Sequence, residues 1–361
     1  MNRPTVLFYC QHSLGLGHLV RSFALAGALA ERFRVVLLNG GRLPRGLPVP
    51  PGVEVVSMPP LGMTVDGTLV SHDRRRSTDR ALQLRRRQML ALHEELRPEV
   101  LFVELFPFGR KKFAGELVPL LEAARDAGTL TVCSLRDILV ASRHDQQKFD
   151  ERASLTANAL FDAILVHADP RFARLEETFR PKSPLSVPVH YTGFVTGRND
   201  ERAPERGDHV VISAGGGRVG RSLLEEAIQR LNGTPMRAIA GPLMPQEDFD
   251  ALKRRIPRNV ELIRSVPDLS RELRHAAASI SQCGYNTALD LVRTRVPALV
   301  VPYATPEEDE QTRRARRLEA LDLVRVAEHV DAKLLDFQPA PARLDLDGAV
   351  ATRDLLYELI A

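Results

Sequence analysis

The chain has 361 residues, 44% hydrophobic and 27% charged, which suits two packed domains and argues against an unfolded chain. Lys and Arg number 50 against 46 Asp and Glu, a formal charge of +4, and only six of the basic residues are lysines. With aromatics at 5% and no basic tail, no nucleic-acid signature is visible. Cys10, Cys133 and Cys283 lie far apart without a C-x-x-C pair, which argues against a disulfide framework or zinc cluster and fits a reducing cytoplasm. Met1 to Cys10 is too short for a signal-peptide core, and no apolar run reaches the ~18 residues that span a membrane.

Taken in chain order, short apolar runs alternate with helical stretches. The first half predicts strands at Val6–Cys10, Arg34–Asn39, Val53–Met58, Val100–Leu105, Thr129–Leu135 and Ala163–His167. The second half predicts His209–Ala214, Met236–Ala240, Val260–Ile263, Ala278–Gln282, Ala298–Pro302 and Val324–Ala327. These runs are rich in Val, Ile and Leu and do not alternate with polar residues, as buried parallel strands do. Helices are expected at Val20–Arg32, Asp79–Leu96, Arg221–Leu231, Thr287–Thr294 and Gln311–Leu321. The result is an α/β chain of two Rossmann-like parallel-sheet domains with right-handed crossovers. Their bounds are 1–194, a polar linker 195–208, 209–335, and a Pro-rich tail with a short amphipathic stretch over 336–361. A ligand is expected at the carboxyl ends of the strands, in the cleft between the domains.

Three segments carry the chemistry. The first is the loop Gln11 to His18, with Gly15 and Gly17, between a strand and a helix. Its glycines let backbone amides approach an anion at a helix start, and His18 suits a general base near neutral pH. The second is Ser213-Ala214-Gly215-Gly216-Gly217-Arg218-Val219-Gly220, which satisfies G-x-G-x-x-G. A dinucleotide site also wants an acid after the next strand, and Gly241-Pro242 stands there instead. That leaves a diphosphate cradle of another kind. The third runs from Ser279 to Asp290, where a strand ends at Gln282, Gly284 turns and a helix opens near Asn286 or Thr287. Asp290 lies one turn in, where a carboxylate reaches two ribose hydroxyls; a Pro-bounded strand and an acidic helix start with Gln311 follow.

The second half resembles the C-terminal domain of family 28 glycosyltransferases, which include the bacterial transferase adding N-acetylglucosamine to the lipid-linked peptidoglycan precursor. Gly15-Leu16-Gly17-His18, Leu135-Arg136-Asp137-Ile138, Tyr191-Thr192-Gly193 and Ser281-Gln282-Cys283-Gly284-Tyr285-Asn286-Thr287 resemble a group of predicted bacterial glycosyltransferases. The resemblance covers nearly the whole chain. It implies the two-domain GT-B fold and a nucleotide-sugar donor, usually UDP-linked. By position, Asp290 matches the acid on the donor ribose, Gly216 and Gly217 the diphosphate loop, Gln311 the glutamine near the donor sugar, and Val266 the residue reading the uracil edge. Gly284, Tyr285, Asn286 and Thr287 fall in the same donor motif, and Gly17 and His18 match the N-terminal loop at the reaction centre. The family commonly has glutamate where Asp290 stands, and here Arg218 follows the glycines.

The implied activity is sugar transfer from a nucleotide-sugar to an acceptor hydroxyl, with inversion. Glu104 and Asp137, at strand ends, rival His18 as base. The Asp-x-Asp at Asp345-Leu346-Asp347 lies in the tail without strand–loop context, and no His/Cys set has ligand spacing, so neither metal nor cofactor is expected. Arg74-Arg75-Arg76 and Arg85-Arg86-Arg87 suit a phosphate-bearing acceptor or peripheral contact with an anionic membrane, but read first as a solvated face. An epimerase or hydrolase on the same fold, and a non-catalytic nucleotide-sugar binder, are the competing classes. The sequence is silent on oligomeric state.

Overall fold

The computed structural model describes residues 3–12, 16–44, 47–64, 67–197, 205–217, 219–305 and 308–361. Gly15 and Arg218 lie outside the described residues. The chain divides into two compact units. One comprises Met1–Leu139, His144–Arg198 and Leu344–Ala361, the other Val140–Arg143 and Asn199–Arg343.

The first unit runs β1 (Thr5–Cys10), α1 (Gly17–Leu29), β2 (Arg34–Asn39), β3 (Val53–Ser57), β4 (Leu61–Met63), β5 (Leu69–Ser71), α2 (Thr78–Leu96), β6 (Val100–Glu104), α3 (Ala114–Asp126), β7 (Leu130–Arg136), α4 (Gln146–Leu160), β8 (Ala163–His167) and β9 (Val189–Tyr191). Its main sheet has the order β3-β2-β1-β6-β7-β8-β9, all parallel. The inner strands are buried because both faces are covered by helices, and Phe8 and Phe102 meet edge to face at 4.8 Å in the core. β4 and β5 form a separate antiparallel hairpin that is not among the strands read from the sequence. Three-residue strands give too short a period-2 pattern to detect. Helix α2 shows its bounds in its residues: Ser77 Oγ accepts the Arg80 amide at 3.2 Å, and Arg97 turns left-handed before Pro98, where a helix cannot continue.

The second unit runs β10 (Val210–Ser213), α5 (Arg221–Arg230), β11 (Met236–Ile239), α6 (Gln246–Lys253), β12 (Val260–Ile263), α7 (Leu269–Arg274), β13 (Ala278–Ser281), α8 (Tyr285–Thr294), β14 (Ala298–Val300), α9 (Glu310–Ala320) and β15 (Arg325–Val326). Its sheet order is β12-β11-β10-β13-β14-β15, again all parallel. The last helix, α10 (Gly348–Leu359), belongs to the first unit and packs on α1. Asp345 guides it there: its carbonyl accepts the Phe194 amide at 2.8 Å, and its amide donates to Asp169 Oδ2 at 3.0 Å.

Both sheets reverse direction once. The reversal lies between β1 and β6 in the first and between β10 and β13 in the second. At such a point neighbouring crossovers leave in opposite directions, so the carboxyl ends of the two strands open a crevice.

Candidate active site

The crevice of the first sheet is built from the end of β1, the start of α1 and the end of β6. His18 is the second residue of α1, and its Nδ1 lies 2.5 Å from Oε1 of Glu104, the last residue of β6. Arg21, one turn further along α1, donates from Nη2 to the same oxygen at 2.6 Å. Arg110 donates from Nη2 to Oε2 at 3.3 Å. Glu104 and Arg21 are buried, and the His18 side chain is one-fifth exposed. The chain leaves β6 through Leu105 at φ 68, a conformation an L-residue adopts only at a cost of about 1 kcal/mol or more.

Charge in this cluster is unevenly placed. Burial works against the Glu104 carboxylate, but His18, Arg110 and Arg21 outweigh it and hold the acid well below its ordinary range. Burial also works against a proton on His18; Glu104 pulls the other way, Arg110 and Arg136 push with burial, and the imidazole falls to about 3. At neutral pH the arrangement is a carboxylate accepting from a neutral imidazole. A proton on Nδ1 leaves Nε2 as the open acceptor, the form a general base needs.

One sequence reading changes here, that of Arg85. The Glu104 oxygens take three donors, from His18, Arg21 and Arg110. Asp137 is buried at the end of β7, away from water, beside Arg136. Arg85 is no part of a solvated face. It is fully buried, pairs through Nη2 with Glu116 Oε1 at 2.6 Å, and donates to Gln11 Oε1 and the Gly40 carbonyl, each at 2.8 Å. Arg86 and Arg87, and Arg74 to Arg76, are exposed. Sequence reasoning missed Arg21 and Arg110. Arg21 left a signal: it is a cation three residues after His18 on a helix face that is otherwise apolar.

The crevice of the second sheet joins the loop after β10 to the turn after β13. Gly215 and Gly217 have φ 59 and 88, left-handed values that favour glycine. Gly217 has a further reason to lack a side chain, since a Cβ there would lie 2.4 Å from the Ala240 carbonyl. The Gly216 carbonyl accepts the Leu243 amide at 2.9 Å, while its own amide meets no described partner. Beyond β13, Gly284 precedes α8, and Tyr285 is buried with Asn286 and Thr287 half-buried after it. Gln311 Oε1 accepts the amides of Cys283 and Tyr303 at 3.2 and 3.3 Å. That bond pins this turn to the one after β14 and leaves the amide nitrogen for other use. Arg314, also unflagged by sequence, sits beneath: it is buried and donates to the Cys283 carbonyl at 2.8 Å.

Asp290 is half-buried in the second turn of α8; its carbonyl accepts the Thr294 hydroxyl at 2.8 Å, and its carboxylate accepts no hydrogen bond from a described residue. Burial pushes its carboxyl up to about 7; Arg293 and Arg274 oppose the shift and Asp268 adds to it. Val266, between β12 and α7, leaves its N–H and C=O without backbone partners among the described residues. No set of three His, Cys, Asp or Glu side chains among the described residues has metal-binding geometry. No described helix is long and apolar enough to cross a membrane.

No protein-family model matches the sequence, and no curated protein does either. Solved structures match along nearly its whole length. UGT2 of Phytolacca americana, complexed with UDP-2fluoro-glucose and pterostilbene, aligns with a TM-score of 0.57 at 17% identity, over 99% of this chain and 90% of that one. MurG of Acinetobacter baumannii aligns at 0.56 and 16%, over 98% and 100%. The spinosyn forosaminyltransferase SpnP aligns at 0.59 and 16%, over 99% and 95%. The chain has the GT-B fold of these glycosyltransferases, two parallel-sheet α/β domains.

Proposed function

We propose that the chain is a glycosyltransferase of the family 28 type. It moves a hexose from a nucleotide-sugar, UDP-linked, to an acceptor hydroxyl, with inversion and without a metal. The observation that carries this reading is the His18–Glu104 hydrogen bond at the switch point of the first sheet. The second unit supplies the donor side: Asp290 for the ribose hydroxyls, Val266 for the base edge, the loop at Gly216 and Gly217 and the start of α5 for the diphosphate, and the Gln311 amide nitrogen for the sugar.

In the reaction the acceptor oxygen attacks the anomeric carbon while His18 Nε2 takes its proton. The bond from that carbon to the diphosphate oxygen breaks, and its electron pair leaves with the nucleoside diphosphate. Glu104 stabilises the imidazolium that forms and fixes its ring. Backbone amides and the α5 dipole meet the growing charge on the leaving group, which is why no metal is required for it. The Asp-x-Asp of the tail takes no part: the Asp345 amide is bound to Asp169 Oδ2, and Asp345 Oδ1 accepts the Asp347 amide at 3.0 Å. The reading places the protein in the cytoplasm, with the exposed arginines of the first unit free to meet an anionic membrane surface.

Calorimetry with UDP, GDP, dTDP and their sugars, with and without EDTA, tests the donor half. UDP binding that survives EDTA is expected; no binding of any nucleotide would overturn the reading. His18→Ala tests the other half. It should lower kcat by about 10²–10⁴-fold, the usual contribution of a general base, while the donor Kd stays within twofold. Donor turnover without an acceptor would instead favour a hydrolase or epimerase, and binding without turnover a nucleotide-sugar binder.

A further inference from the structure

Glu104 is surrounded by more positive charge than one imidazole requires. From α1 it receives His18 and Arg21, both on Oε1, and from the loop after β6 it receives Arg110 on Oε2. The two arginines are not equivalent. Arg21 makes the shorter bond from the buried face of α1 and is 2% exposed. Arg110 makes the longer one from a left-handed residue, φ 58.

We propose that Arg110 is a positioning residue for the His18–Glu104 pair: its guanidinium, on the carboxylate oxygen that His18 leaves open, sets how much of the Glu104 charge the imidazole feels. The proposal rests on the reading of His18 as base and adds a control on it. With Arg110 in place the carboxylate is shared and the ring stays neutral, ready to take a proton. Without Arg110 the carboxylate would draw a proton onto His18 from water, and the base would be blocked at higher pH.

The other groups that face the pair do not offset this. Arg136, from the end of β7, adds to the repulsion of a proton on His18. Burial pushes the Cys10 thiol of β1 up to about 12 and that of Cys133 in β7 well above its ordinary value, so both are uncharged. Burial likewise lowers His167 of β8, and lowers His12 to about 4, so both rings are neutral near pH 7. The local charge is therefore Glu104 against Arg21, Arg110 and Arg136, and of these arginines Arg110 is the one that touches the carboxylate and also opposes a proton on the imidazole.

The test is an NMR titration of the His18 ring in the full chain, which needs no substrate. In Arg110→Gln the titration midpoint should rise by about one pH unit or more, the usual effect of removing a charge a few ångströms away. Arg110→Lys should keep the wild-type value, and Arg110→Ala should recover it on addition of guanidinium. The acid limb of kcat/KM should move upward with the midpoint. An unchanged His18 midpoint in both Arg110→Gln and Arg110→Ala, each folded by circular dichroism, would overturn the proposal, as would Arg110→Lys behaving like Arg110→Gln. If the midpoint moves but no variant transfers sugar, the role of Arg110 stands and the base reading falls.

Discussion

If Asp290 holds the donor ribose as proposed, this single side chain trades stability for binding. A carboxyl raised to about 7 by burial is neutral in the folded chain where the unfolded one is ionised, so it destabilises the fold as pH rises from about 4 through 7. Ribose hydroxyls donate to a carboxylate, so the group that binds is the form the fold disfavours. Two results follow. UDP affinity should climb with pH between 6 and 8, read by calorimetry. Asp290→Asn should raise stability at pH 8 by about 1–2 kcal/mol, after allowance for its partial exposure, while weakening UDP at least tenfold. A stabilised variant that still binds UDP would remove Asp290 from the donor site. The residue was visible in the sequence because strand, glycine turn and acid stand in order. Its environment was not, since the charges of Asp268 and Arg274 that bear on it come from outside α8.

At the scale of elements, the first crevice is held open by a buried polar cluster that unites β1, β2, α2 and α3. Arg85 joins Glu116, Gln11, Tyr9 and the carbonyls of Gly40 and Pro59, so one guanidinium fixes the ends of two strands next to the His18 loop. Removing one partner of a buried pair strands the other charge. Arg85→Met should therefore cost about 3–5 kcal/mol in urea unfolding, and Arg85→Met with Glu116→Leu should recover much of it. Equal losses in the single and double variants would show that the hydrogen bonds to Gln11 and Gly40 matter more than the ion pair. The parallel strands were legible because apolar runs such as Val35–Leu38 have no polar alternation, and buried strands need none. The Arg85 cluster was not legible, because an arginine triplet on a polar helix looks the same whether one member points inward or all point out. The hairpin β4–β5 escaped for a related reason: it draws its order from neighbours, with Gln11 Nε2 donating to the Leu61 carbonyl.

The two units are not consecutive stretches of the chain. After the second unit is complete, the chain returns to the first, where Val195 pairs with Asp347 and α10 covers α1. Gly193 makes room for the return: at φ 83 it takes a conformation suited to glycine, and a Cβ there would press into the Asp345 carboxylate. That gives the Tyr191-Thr192-Gly193 motif a structural reason of its own, apart from any ligand. Leu356 is fully buried in the core around Leu25 and Phe33, and Tyr357 meets Phe33 edge to face at 6.0 Å. Burying a leucine alone is worth about 2 kcal/mol, so the segment 344–361 contributes several. Since α1 also carries His18 and Arg21, loss of the tail should reach the proposed base while leaving the second unit intact. Hydrogen exchange separates the two effects. A chain ending at Arg343 should exchange faster throughout α1, β1 and β2, with β10, β11 and β13 unchanged, and UDP should still slow exchange at the ends of β10 and β13. Faster exchange in both units would mean that the tail stabilises the molecule as one body, and the division of labour argued from α10 would fail.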